Sequence, residues 1–270
     1  MLSRLVPPIT TNKRALVSIA HADDLLLFAG GTVSSLIKAG WEIAVVRATD
    51  DRWDSYQLSE KETIAANKRE FDRAMQLIGV SQIYDLGIPT DLLGEYSEVE
   101  IRKEFISIIR EFRPYLTVTF DPDSYLYEDN QDHRLVGIAM AEANWAAGFD
   151  KHPNSGRRKL EPHLPMANWY FGRVVAKATH YFDVSKEFEK VALAASMHKT
   201  MLINMARQIE LKASTNELSV NITSEVEKSP IDFVKKLLSK SRQNQVKGVK
   251  YAEVFRVIDN SSDIAKLRSK

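Results

Sequence analysis

The chain has 270 residues, 44% of them hydrophobic and 27% charged, with 37 Lys plus Arg against 36 Asp plus Glu. A chain of this size buries a full core without staples, and a net charge of +1 excludes holding nucleic acid through a broad basic surface. Because there is no cysteine, disulfides, thiolate metal sites and thiol catalysis are excluded together.

Residues 1–13 read as an N-terminal extension: they lack the apolar core of a signal peptide, and Pro7-Pro8 would break a helix. No apolar run is long enough to span a bilayer, so a soluble, cytoplasmic protein is expected. Residues 15–20 then form a short apolar run suited to a strand buried on both faces. Gly30-Gly31 leads into a helix closed by Gly40, and residues 41–49 give a second strand. Ser59 followed by Glu62 is a capping-box pattern, opening a long helix that ends at Gly79. Residues 81–85 supply a third strand, and residues 97–112 a helix with Ile101, Phe105, Ile108 and Ile109 on one stripe. Residues 115–120 make a fourth strand, and a helix restarts at His133. This alternation predicts one α/β domain over residues 1–270, Rossmann-like, with a mostly parallel sheet and helices on both faces.

The later sequence is more polar. Residues 151–165 read as a loop, 168–183 as two strands, and 185–212 as helix. Residues 213–250 are lysine-rich and are expected to form an excursion or mobile flap before a last strand at 251–259.

The chemistry-bearing residues stand at two strand ends. His21-Ala22-Asp23-Asp24 follows the first strand, and Asn130-Gln131-Asp132-His133 follows the fourth. In doubly wound sheets the ligand crevice opens beyond the carboxyl ends of the strands, so two imidazoles and their neighbouring carboxylates are expected to converge there. Such a set leaves a divalent ion with open coordination positions. Taken singly, the acidic residues could equally cap helices or face water, and His133 could serve only as a helix-start residue. A two-histidine, one-carboxylate set also fits a non-haem iron(II) oxygenase, although such enzymes are expected to be all-β. Gly30-Gly31 invites a nucleotide-binding reading, but Gly-x-Gly-x-x-Gly is absent.

Ala20-His21-Ala22-Asp23-Asp24 resembles the Ala-His-Pro-Asp-Asp-Glu signature of the LmbE-like, or PIG-L, deacetylases. The resemblance continues through Gly30-Gly31-Thr32, Lys68-Arg69-Glu70, Asp132-His133-Arg134 and the closing segment 251–258. That family includes zinc-dependent enzymes that remove N-acetyl groups from glucosamine-containing substrates. The resemblance therefore implies a Zn2+ or other divalent ion on His21, Asp24 and His133, with Asp23 as general base. A small N-acetylated amino sugar is the implied substrate and partner. It further implies a supporting role for Asp132 and a substrate contact at Arg69. Three positions depart from the signature: Ala22 for proline, Leu25 for glutamate, and Asn130 for the general-acid histidine. An asparagine amide can donate a hydrogen bond to an oxyanion, but it cannot titrate. The alternative is thus a catalytically weak member of the fold that acts as a binding protein. His198, in place of that histidine, and Trp53, stacking on a sugar, are candidates near the pocket; His180 is a further candidate, with a structural place on its strand the more expected. Tyr125-Leu126-Tyr127 is expected to wall it, whereas His152 and His163 are expected at the surface.

Overall fold

The computed structural model describes residues 1–124, 126–153, 155–156 and 160–261. Its strands are β1 (Ser3–Arg4), β2 (Arg14–Ile19), β3 (Glu42–Thr49), β4 (Gln82–Ile88), β5 (Leu116–Phe120), β6 (Ala167–Phe171), β7 (His180–Asp183) and β8 (Ala252–Asp259). They form one sheet in the order β1-β7-β8-β6-β5-β2-β3-β4. β8 runs antiparallel to both β6 and β7, and the remaining pairings are parallel. β2 and β5 are buried along almost their whole length, as strands covered on both faces must be.

The helices are α1 (Gly30–Lys38), α2 (Glu60–Ile78), α3 (Glu98–Phe112), α4 (Gln131–Ala146), α5 (Phe188–Ala195), α6 (Lys199–Thr215), α7 (Ile222–Lys228) and α8 (Pro230–Arg242). The Ser59/Glu62 capping box forms, and Gly79 ends α2 at φ 102°, where a side chain would be strained. Helices α3 and α4 pack on each other and on β2, while α5 joins α1, α2 and α8. The Gly30-Gly31 pair serves packing: a Cβ on Gly31 would lie 2.4 Å from Val184 Cβ, and one on Gly30 would lie 2.9 Å from Val191 Cγ1.

Three segments differ from the sequence expectation. Helix 185–212 is interrupted at Ser196–His198 to give α5 and α6. Residues 3–4 of the N-terminal extension pair with β7. Residues 213–250, expected as an excursion, carry α7 and α8, which bury Val226, Phe233, Val234 and Leu238. The lysines of α8 mask an apolar stripe at helical spacing, because exposed cations and a buried face share one amphipathic element. Arg242 at its end is itself buried, donating to Glu253 Oε1 at 2.7 Å and to the Leu26 carbonyl at 3.0 Å. Glu253 in turn accepts from the backbone N–H groups of Gly31 and Thr32, so an anion closes the N-terminus of α1.

The chain steps from β2 outward to β3 and β4, then returns across β2 to β5. The strand order therefore reverses between β2 and β5, and the loops after these two strands border the crevice.

Candidate metal centre and its cavity

The turn after β2 is bound tightly to the strand beside it. Asp24 Oδ2 accepts from the backbone N–H of His21 at 2.7 Å and of Ala20 at 3.1 Å. Thr49 Oγ1, at the end of β3, donates to the Ala20 carbonyl at 2.8 Å, and the Ala22 N–H donates to Asp51 Oδ1 at 3.3 Å. Asp51 is fully buried and held by Arg47 at 2.7 Å. Leu25, which stands where the family signature has glutamate, is fully buried in the π-helical turn Leu25–Ala29 that leads into α1.

His133 arrives from the first turn of α4. Asn130 caps that helix, its side-chain oxygen accepting from the His133 N–H at 3.2 Å. His21 Nδ1 and His133 Nε2 then lie 3.1 Å apart, and Asp24 places one carboxylate oxygen 3.2 Å from His133 Nε2 and the other 3.6 Å from His21 Nδ1. One donor atom from each of the three falls within 4.8 Å of the others, and all three residues are buried. The outward nitrogens face carboxylates: His21 Nε2 is 3.5 Å from Asp132, and His133 Nδ1 is 3.3 Å from Glu128. The Glu128 contact is a charge attraction without hydrogen-bond alignment. Carboxylates at the outer nitrogens favour protons there and leave lone pairs pointing inward, the arrangement that orients histidine ligands around a metal. Two ring nitrogens 3.1 Å apart need a shared proton or a metal cation between them. The donor set therefore fits a divalent ion.

Electrostatics follow from burial and crowding. Burial opposes the His133 imidazolium, but Asp24 outweighs it and raises the ring to about 9. Burial also opposes the His21 imidazolium, yet Asp132 and Asp24 raise that ring well above its usual range. For Asp24, burial is overcome by His133 and His21, which hold the carboxyl far below the usual carboxylate range. Asp23 is half-buried beside Asp24; desolvation first, then the Asp24 charge, pushes its carboxyl up to about 7. Burial likewise lifts Asp54 to about 7.

These groups line a cavity of about 450 Å³, within the roughly 300–1,000 Å³ of small-molecule sites. Its floor carries His21, Asp23, Asp24, Asp54, Asn130 and His133. Its wall comes from α6 and α8, with Met201, Met205 and Ile209 on one stripe of α6 and Asn204, Gln208 and Lys212 on the next.

Other candidates lie elsewhere. His198 is fully buried beside Phe71, does not line the cavity, and has no hydrogen-bond partner for either ring nitrogen among the described residues. It caps α6 inside the core because the chain must bend between α5 and α6 there. Trp53 is exposed and donates to Glu60 at 3.0 Å, away from the cavity, while Arg69 sits on the exposed side of α2. His180 is on β7 beside β1. His163 is half-buried, within 2.7 Å of the Pro114 carbonyl, and His152 packs on Trp145 and Phe149. Leu126 and Tyr127 are exposed and outside the cavity lining; Tyr125 lies outside the described residues. Sequence reasoning missed Asp54 and Glu128. Asp54 could have been found from the adjacency of β3 to β2, which brings the loop after β3 to the same crevice.

A mostly parallel sheet whose order reverses beside a His/Asp/His cluster is not the all-β jelly roll expected of a non-haem oxygenase. Residues 16–144 match the PIG-L family model, described as GlcNAc-PI de-N-acetylase. It is 28% identical over 200 residues to a diacetylchitobiose deacetylase of Thermococcus kodakarensis, covering 72% of each chain. It is 25% identical over 174 residues to a 1D-myo-inositol 2-acetamido-2-deoxy-alpha-D-glucopyranoside deacetylase of Rhodococcus opacus, covering 54% of this chain and 58% of that relative. The fold superimposes on an N,N'-diacetylchitobiose deacetylase from Pyrococcus horikoshii with a TM-score of 0.72 at 23% identity, over 92% of this chain and 84% of that one. Among the described residues no helix is long and apolar enough to cross a membrane.

Proposed function

We propose that the protein is a divalent-metal-dependent N-deacetylase that hydrolyses the acetamide of a small amino sugar. The observation that carries this reading is the convergence of His21, Asp24 and His133 at the floor of a cavity that Asp23 also lines. The relatives, named as deacetylases of acetamido sugars, supply the substrate class. When bound, the ion, with zinc favoured by the donor set, supplies Lewis-acid polarisation of the amide carbonyl and acidifies water.

The chain's own residues supply the rest. Asp23, raised to about 7, is matched to taking a proton from water near neutral pH and returning it to the amine as the C–N bond breaks. Asp132 and Glu128 orient the two imidazoles, and Asp51 with Thr49 fixes the turn that carries Asp23. Asn130 spends its oxygen on the helix cap, which leaves its NH2 as a donor for the carbonyl oxygen as negative charge builds there. Acetamide and water give acetate and a protonated amine.

The test is release of acetate from N-acetylglucosamine and diacetylchitobiose by protein of measured metal content, compared with Asp23→Asn. Turnover that disappears in the variant while the metal stays bound supports the reading. Stoichiometric metal without turnover on any acetamido sugar favours the binding-protein alternative, to which Asn130 lends weight because an amide cannot deliver a proton.

A further inference from the structure

A second hollow adjoins the first. It measures about 680 Å³ and shares Asn204 and Gln208 with the metal-side cavity, so the two adjoin along α6. Its remaining walls include Tyr56 from the loop after β3, Leu211 at the end of α6, and Leu218 and Val220 in the connection to α7. These four side chains are open to solvent, with Leu211 at 69% and Leu218 at 61% exposure. Several polar groups around them are already engaged. Arg207 lies over the Tyr56 ring at 4.7 Å and pairs with Glu210 at 2.8 Å. Glu210 also accepts from the Thr223 N–H, and Ser214 donates to the Leu211 carbonyl. The amides of Asn204 and Gln208, in contrast, make no hydrogen bond with described residues, and they stand at the junction.

We infer that the amino-sugar substrate carries an apolar aglycone, an alkyl or aryl group, that lies in this second hollow. The inference rests on the deacetylase reading and specifies its substrate class. With the acetamide at His21, Asp24 and His133, the sugar's polar edge meets Asn204 and Gln208. The aglycone then continues over Tyr56, Leu211, Leu218 and Val220. Burying these side chains and the aglycone against each other removes apolar surface from water on both partners. Glu217 and Ser219 also line the hollow, so a second sugar ring is the competing occupant, and diacetylchitobiose separates it from an apolar aglycone. The two side chains shared by the adjoining hollows favour a part of the substrate as occupant over a second copy of the chain.

The experiment compares hexyl with methyl 2-acetamido-2-deoxyglucoside in turnover, and the corresponding 2-amino glucosides in calorimetric binding, for the wild type and Leu218→Asp. The expected result is a kcat/KM ratio of at least about tenfold in favour of hexyl, carried by KM, collapsing toward unity in the variant. A ratio near unity in the wild type overturns the inference, as does better turnover of diacetylchitobiose than of the hexyl glycoside. A wild type that sediments as a dimer and a Leu218→Asp variant that sediments as a monomer, with the hexyl ratio unaltered, overturns it in favour of a second copy. Absence of turnover on every glycoside is a failure of the deacetylase reading; the hexyl-to-methyl binding ratio then still decides where the aglycone lies.

Discussion

Asp23 and Asp24 are adjacent in sequence, yet their environments push them apart. Asp24 is ringed by two imidazoles and two backbone donors, whereas Asp23 meets desolvation and a neighbouring negative charge. Replacing Asp23 with Asn is expected to leave metal content intact and lower kcat by about 10²–10⁴-fold, read by elemental analysis beside acetate release. Replacing Asp24 or His133 with Ala is expected to abolish stoichiometric metal binding itself. His198 provides a separate test. Burial, reinforced by Arg47, pushes its imidazole from 6.5 down to about 3. The unfolded chain therefore takes up a proton that the folded one refuses, so stability is complete above pH 6.5 and is lost as the pH falls from there toward 3. Between pH 7 and 5 this group is expected to cost about 2 kcal/mol. Urea midpoints at the two values should show that loss in the wild type and a smaller one in His198→Phe. The convergence of His21, Asp24 and His133 was legible in the sequence because each follows a strand whose end is readable from its apolar run. The place of His198 was not, because a bend between two helices looks like unbroken helix in residue pattern alone.

At the scale of elements, α/β alternation and helix caps could be read because they depend on local spacing; Ser59/Glu62 and Gly79 are instances. The cavity wall could not. α6 and α8 acquire their roles through packing against distant parts of the chain, and the lysines of α8 obscured the stripe of Phe233, Val234 and Leu238. Leu238, 1% exposed, both supports the core and lines the cavity. Leu238→Ala is expected to destabilise the protein by about 2–5 kcal/mol, measured by denaturant unfolding, and to raise KM more than it lowers kcat. At the front of α1, Gly31→Ala sets a methyl group against Val184. It is expected to cost about 1–3 kcal/mol, visible as a lower midpoint with an unchanged m-value.

Across the whole molecule, an ion held by His21, Asp24 and His133 would tie together the loops after β2 and β5, strands that are neighbours in the sheet but far apart in sequence. Anything that binds only the native state stabilises it. Chelation is therefore expected to lower the unfolding temperature, and restoring the ion to recover it, with Asp24→Ala insensitive to either treatment. The same long-range character governs the order in which the chain can be completed. β8 follows every other strand in sequence, yet it lies between β6 and β7, and β7 in turn carries β1. Its Glu253 neutralises the front of α1 and anchors Arg242 of α8. A nascent chain that still lacks residues 252–259 thus holds two strands with no route into the sheet and exposed edges where β8 belongs. Such a chain is a candidate for chaperone capture until residues 252–259 emerge and pair.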